Sequence, residues 1–338
     1  MANIDEKAQK QQVISDALTL LEKNKEWEER YRGYISNALA KEKGKRPFNK
    51  PEGLSLYSSV SMYKGNTYDL RFDGQSVGQV RCRDGKVYLN PRKDANETYF
   101  KFKLSDENEE WEWKKDSKAI EFRKFFRDTA RKSSDIKLKS PEHRVENRLL
   151  KEFSKSVGKE KSLCNIQPIK LYGCFFQFPT PFKASEHGKL TYAAQYGGGI
   201  DILARVRTNR GNSRICVMEV KDQNINSESQ SVAIEQALVY ATFVAKLLHS
   251  NSGKQWWDFF RNNNKDSKSI PPHLDIDVVT IMPKSDTDEF CGELLECKEL
   301  STTFHCHSLY YDDEEFEKER FVFSGTYPQQ LKRYKKTQ

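Results

Sequence analysis

Apolar and polar positions along the chain fall into three successive patterns. Over residues 4 to about 43, Val13, Ala17, Leu20 and Leu21 form a stripe at helical spacing ahead of the charged run KNKEWEER, which predicts a helix. The cluster KGKRPFNKPEG interrupts the period and marks a boundary. From Leu54 to Trp113 the pattern shortens to strand-like segments, YDLRF, SVGQVRC, KVYLN and ETYFKFKL, punctuated by Asp73-Gly74 and Asp84-Gly85. Asp-Gly supplies the positive backbone angles of tight hairpins, so a small β-meander domain is expected.

The third pattern starts near Lys118 with a basic helix, AIEFRKFFRDTARK, and the linker SSDIKLKSP. Ser140 suits an N-cap and Pro141 a first helical turn, which predicts a helix to about Lys155. A strand or two within Ile166 to Phe182 should follow, then a hairpin from Gly199 to Asp222, a long helix from Ser229 to Ser250, and a buried strand from Asp275 to Pro283. The fold class read from this order is α/β, a mixed sheet flanked by helices. The expected domains are a helical segment (1–50), a small β-rich domain (51–117), a basic helix with its linker (118–140) and a larger domain (141–338).

Composition narrows the function classes. With 31% charged and 36% hydrophobic residues, no stretch approaches the roughly 20 consecutive apolar residues of a bilayer span. The amino terminus, MANIDEKAQKQQ, lacks the apolar core of a secretory signal, so a cytoplasmic protein without a membrane partner is expected. Seven cysteines with no CxxC pair point to reduced thiols. Cys291, Cys297, His305, Cys306 and His307 come nearest to a zinc site, but their spacing matches no common zinc pattern; core cysteines beside surface histidines is the preferred reading. The net charge of +8 is modest, yet basic residues gather in KEKGKRPFNK (41–50), in the helix containing Lys124, Arg131 and Lys132, and in LKRYKKTQ (331–338), where they suit either a phosphate backbone or solvated helix faces and a floppy tail.

The chemistry concentrates in GGGIDILARVRTNRGNSRICVMEVKDQN, Gly197 to Asn224. Strand alternation puts Glu219 and Lys221 on one face and Met218 and Val220 on the other. Asp201 sits among Ile200, Ile202 and Leu203 on the preceding strand. Acids inside apolar strands are costly to desolvate, so each needs a cation or a donor. Whether Asp201 meets Glu219 depends on the turn. A two-residue Arg210-Gly211 loop pairs Asp201 with Val220. A three-residue loop, Asn209-Arg210-Gly211, pairs Thr208 with Asn212 and Asp201 with Glu219. Carboxylates that close repel unless a cation lies between them, and oxygen ligands suit Mg²⁺ or Mn²⁺. The Gly197-Gly198-Gly199 run has no helix after it, which excludes a P-loop or dinucleotide-binding loop and points to a close backbone approach or to flexibility at the site's mouth.

An acid on the first hairpin strand, Asp201, followed by Glu219-Val220-Lys221 on the second, resembles the PD-(D/E)xK nuclease superfamily, the restriction-endonuclease-like fold. The triplet alone is unspecific, since Glu112-Trp113-Lys114 and Glu296-Cys297-Lys298 also occur, but only the copy at 219–221 follows an apolar strand with a hairpin acid upstream. Ile200 stands where the family pattern nominally has proline. The resemblance covers about residues 141–283. It implies a glutamate on the helix before the sheet, matched by Glu146 with Glu142 as its rival, and a glutamine on the helix after it, matched by Gln236.

What the resemblance implies is a Mg²⁺-dependent endonuclease, with Mn²⁺ as a substitute, hydrolysing phosphodiester bonds in DNA rather than RNA, with restriction or defence as compatible roles. Asp201, Glu219 and the Val220 carbonyl would hold the metal, and Lys221 would orient or activate the attacking water. Glu146 would act through a second metal or a bridging water, and Gln236 would position its neighbours. Arg205, Arg207 and Arg210, with Lys124, Arg131 and Lys132, are the candidate phosphate contacts. A homodimer, or a partner protein held by the β-domain, is the expected assembly. The competing classes are a catalytically silent nucleic-acid-binding or regulatory protein on the same fold, and an RNA nuclease.

Overall fold

The computed structural model describes residues 2–42, 53–60, 67–103, 109–131, 141–155, 165–184, 190–195, 197–209, 212–222, 230–261, 269–284, 292–318 and 321–327. The N-terminal stripe forms two helices, α1 (Ala2–Lys23) and α2 (Glu26–Glu42), in place of the single one expected. The break is local chemistry: the Asn24 side-chain amide donates to the Leu20 carbonyl at 2.8 Å, taking the acceptor that a continuing helix would use. The buried face is Ile14, Ala17, Leu18 and Leu21 on α1, then Trp27, Tyr31 and Ile35 on α2, all at three- or four-residue spacing.

The chain divides into a larger unit, Met1–Ile35 with Glu152–Ile169 and Gln177–Gln338, and a smaller one, Ser36–Lys151 with Lys170–Phe176. This division differs from the linear partition expected from the sequence. The first helix belongs with the C-terminal sheet, and the basic helix packs into the β-rich core.

The smaller unit is an antiparallel meander in the order β1 (Ser55–Tyr57), β2 (Thr67–Phe72), β3 (Gln75–Arg83), β4 (Lys86–Pro91) and β5 (Trp111–Glu112). Asp73 and Gly74 (φ 45° and 92°) and Asp84 and Gly85 (φ 51° and 70°) make the two tight turns that Asp-Gly favours. ETYFKFKL is not a strand. Its first half lies in α3 (Lys93–Phe100), where buried Asn96 donates to the Val77 and Arg92 carbonyls and Lys101 closes the helix in the left-handed conformation. Helix α4 (Ser117–Arg131) inserts Ala119, Phe122 and Phe126 among Leu70, Val80, Leu89 and Trp111. Burying each of those phenylalanines contributes about 2 kcal/mol, which is why this helix belongs to the core and not to a linker. Helix α5 (Pro141–Phe153) begins at the proline as expected; Ser140 lies outside the described residues.

The larger unit is built on a mixed sheet whose described strands run β14-β15-β13-β12-β11-β6, with β16 beside β15. In chain order these are β6 (Ile166–Pro168), the short β7 (Phe178–Pro179), β8 (Phe182–Lys183), β9 (Thr191–Tyr192) and β10 (Gly199–Ile200), then β11 (Ile202–Asn209) and β12 (Asn212–Val220). After α6 (Gln230–Leu248) and α7 (Gly253–Phe260) come β13 (Leu274–Pro283), β14 (Glu293–Cys297), β15 (Thr302–Tyr311), α8 (Asp313–Glu317) and β16 (Phe323–Gly325). β11 and β12 form the antiparallel hairpin, whereas β12 and β13 are parallel, a pairing that requires a crossover, supplied by α6.

α6 passes for a bilayer-crossing helix by length and mean hydropathy alone, but Glu235, Gln236 and Lys246 interrupt its apolar run, and 78% of that window is buried inside the fold. Trp256, Trp257, Phe259 and Phe260 of α7 are all buried; Trp256 and Phe260 pack with Phe178, and Trp256 also with Tyr31.

The hairpin combines features of both expected turns. Asn209 pairs with Asn212, the spacing of the shorter loop, with Arg210 and Gly211 outside the described residues. The register then shifts between Asn209 and Arg207, leaving Thr208 as one extra residue, and Arg207 pairs with Ser213. From there to Ile202 opposite Met218 the ladder has the register of the longer loop. A bulge therefore makes the one-residue correction that neither simple turn describes.

Candidate metal and catalytic site

Asp201 lies one residue beyond the last β11–β12 pair, where the chain leaves β12 and its preceding residues, Gly199 and Ile200, pair with Pro179 and Phe178 of β7. The continued register sets it opposite Glu219. Its Oδ2 accepts the Val220 N–H at 3.0 Å, which fixes the carboxylate against the end of β12. Ordinary ladder hydrogen bonds stop there, and a side chain takes over the donor.

Lys221 follows the last β12–β13 pair, yet its backbone remains anchored: its N–H donates to the Ile281 carbonyl at 2.8 Å and its carbonyl accepts the Tyr311 hydroxyl at 3.1 Å. With the main chain held, Lys221 Nζ stands 3.1 Å from Glu219 Oε1 and donates to Gln236 Oε1, also at 3.1 Å. Gln236 in turn donates to the Tyr240 hydroxyl at 3.3 Å. Asp201, Glu219, Lys221 and Gln236 are only 7%, 3%, 5% and 6% exposed. Four polar groups thus share one dry strand end under α6, so each interaction is stronger than in water.

Tyr240 was not among the residues expected at the site, although its spacing from Gln236 sets the two on one helical face. Burial, with the charge of Glu219 next in size, raises the Tyr240 hydroxyl well above its ordinary pKa, so it stays protonated. The glycine run serves close approach. A Cβ on Gly198 would overlap the Tyr240 hydroxyl, and one on Gly197 would overlap the Thr180 carbonyl and lie 2.8 Å from the Phe182 nitrogen. Asp222, buried beside Lys221, is a further acid at this end of β12 that the motif does not include.

Other sequence candidates fall elsewhere. Glu146 is 1% exposed, not a solvated helix-face acid, but it belongs to the smaller unit, where its charge acts on Tyr57 and Arg71. Glu142, its rival, is half-buried in the same helix. Arg205 is half-buried and Arg207 exposed on β11, whereas Lys124 is exposed on α4 in the smaller unit. Arg210 and Lys132 lie outside the described residues, as does the side chain of Arg131.

The zinc candidate dissolves into separate roles. Cys291 lies outside the described residues, Cys297 and Cys306 are buried, and His305 Nε2 lies 2.6 Å from Asp275 Oδ1. His307 is not a surface residue as expected; it is 2% exposed, tilted against Tyr327 with ring centroids 5.4 Å apart.

Among the described residues no group of three or more His, Cys, Asp and Glu side chains is placed to hold a metal ion. At the end of β12 the donor set is two carboxylates and a backbone carbonyl, that of Val220. All are oxygens, which fits a hard divalent cation that keeps several waters and does not fit zinc bound by sulfur and nitrogen. No protein-family model, curated protein or solved structure matches the chain.

Proposed function

We propose that the protein is a Mg²⁺-dependent nuclease acting on DNA, with a restriction-endonuclease-like core. Supporting the fold reading is the succession of a helix, the antiparallel strands β6, β11 and β12, the crossover helix α6 and the parallel strand β13. The observation that carries the function is the arrangement of Asp201, Glu219 and Lys221 at one buried strand end, with Lys221 Nζ held between Glu219 and Gln236. A sheet needs no such trio for its stability, because burying three charges costs more than apolar side chains of similar volume would.

Asp201, Glu219 and the Val220 carbonyl would hold the cation, and Mn²⁺ would replace Mg²⁺. The bound ion would supply a water of lowered pKa and positive charge against the developing phosphorane oxygens. The chain's own residues do the remainder. The Val220 N–H orients the Asp201 carboxylate, so the ligand geometry is set before substrate arrives. The Lys221 ammonium offsets one carboxylate charge and points a donor toward the attacking oxygen or the phosphate. Gln236 restricts Lys221 to one rotamer, and Tyr240 holds Gln236. Low solvent exposure keeps these charges unscreened.

The test is digestion of supercoiled and linear plasmid with Mg²⁺, Mn²⁺ or EDTA, beside Glu219→Ala and Lys221→Ala, with the fold of each variant checked by circular dichroism. Metal-dependent cutting by the wild type alone is the expected result. Silence on both DNA and RNA would sink the nuclease reading.

A further inference from the structure

We infer that Arg205 and Arg261 form a phosphate-binding site that grips the nucleic-acid backbone beside the proposed cleavage site; the identity of its ligand rests on the nuclease reading. Arg205 lies on β11, with Ile215 of β12 on one side of it and Gln167 of the edge strand β6 on the other. Across that row Ile215 is buried, Arg205 half-buried and Gln167 exposed, so the guanidinium sits where the cover over the sheet gives way to solvent. Arg205 Nε is buried, and among the described residues it has no hydrogen-bond partner. A guanidinium is charged at every accessible pH, and a buried N–H of this kind left without an acceptor is costly.

Arg261 closes α7 and lies over the Trp257 ring, 5.3 Å from its centroid. Its charge reaches Arg205: burial first, and Arg261 second, lower the affinity of Arg205 for its proton. Among the described residues no carboxylate forms an ion pair with either arginine. Two like charges gathered at a half-buried place without a counter-ion are unfavourable unless an anion joins them. The two non-bridging oxygens of a phosphodiester suit the forked donors of two guanidinium groups. Arg205 follows Asp201 by four residues, about 13 Å along a strand, a span of about four nucleotides at the rise of duplex DNA. The site would therefore fix the backbone register and leave base sequence unread.

The experiment is binding of a fluorescently labelled DNA duplex to the full-length protein in EDTA, over about 50 to 200 mM salt. Wild type is compared with Arg205→Gln, Arg261→Gln and the double variant, with melting curves recorded for each. The expected result is weaker binding and a logarithmic salt slope shallower by about 0.9 for each phosphate that is no longer neutralised. Slopes and affinities equal to wild type, or no binding by the wild type, overturn the inference. Should Arg205→Gln unfold, Arg261→Gln decides alone. A shallower slope in the variants of a protein whose wild type cuts nothing would keep this site and remove the nuclease reading. Intact cutting with unchanged slopes would do the reverse.

Discussion

Lys221 Nζ donates to Gln236 Oε1 at 3.1 Å, joining the end of β12 to the face of α6 that crosses over it. The same nitrogen is 3.1 Å from Glu219, so strand and helix hold one ammonium between them in a buried position. Removing either acceptor should therefore register both in stability and in whatever chemistry Lys221 performs.

Glu219→Leu alone removes from the buried Lys221 ammonium the carboxylate that stands 3.1 Å away, and is expected to cost about 3–5 kcal/mol in equilibrium urea unfolding. The double variant Glu219→Leu/Lys221→Leu should recover most of that loss, because the uncompensated charge leaves with its partner. A single-variant loss below about 1 kcal/mol would mean the pair behaves as a solvated surface bridge.

Mg²⁺ should stabilise the wild type against thermal unfolding. At a concentration one hundred times its dissociation constant the gain is about 2.7 kcal/mol. Asp201→Asn and Glu219→Gln should abolish the gain, whereas Glu296→Gln, in the unrelated Glu296-Cys297-Lys298 triplet, should leave it intact. Differential scanning calorimetry with and without the ion decides between these outcomes.

Substitutions in the glycine run should rank by what they strike. Gly197→Ala meets the backbone of Thr180 and Phe182, which cannot yield, and should exceed the roughly 1–3 kcal/mol of ordinary overpacking. Gly198→Ala meets the Tyr240 ring end, a side chain, so it should destabilise less while lowering turnover by displacing Tyr240 from Gln236. Reversal of that order in denaturant midpoints would refute the packing described.

His307 should make the fold acid-sensitive. Burial, with lesser contributions from His305 and Arg214, pushes its pKa down to about 4, against 6.5 ordinarily. The unfolded chain thus takes up the proton more readily than the fold. The stability His307 allows is fully present above pH 6.5 and falls by about 3 kcal/mol as pH drops toward 4. Neighbouring Asp277 works in the opposite direction, since burial raises its pKa and favours its protonation inside the fold. Tyr327 faces both, donating to Asp277 at 3.0 Å, and stays protonated throughout. His307→Phe should flatten the pH dependence of unfolding free energy between pH 7 and 4 relative to wild type. An NMR titration placing the His307 pKa near 6.5 would contradict its burial.

Local sequence alone determined the features that depend on neighbours a few residues apart. Asp73-Gly74 and Asp84-Gly85 become tight turns because these residues tolerate positive φ, and Pro141 starts a helix because its missing N–H is not needed there. Glu219 and Lys221 share a face because strand side chains alternate. Tertiary structure decided what depends on distant chain. The bulge at Thr208 sets the register that carries Asp201 toward Glu219, and a local pattern of alternation reads the same in either register. Partnership between Gln236 and Lys221 required the crossover to lay α6 over β12. ETYF became helix since a buried Asn96 satisfies the Val77 carbonyl, an acceptor supplied nineteen residues earlier. Tyr327, distant in sequence, packs against the buried His307 ring, and the placement of α4 in the meander core came from the apolar faces of β2, β3 and β4. Periodicity states which face of an element is apolar; only packing states what covers it.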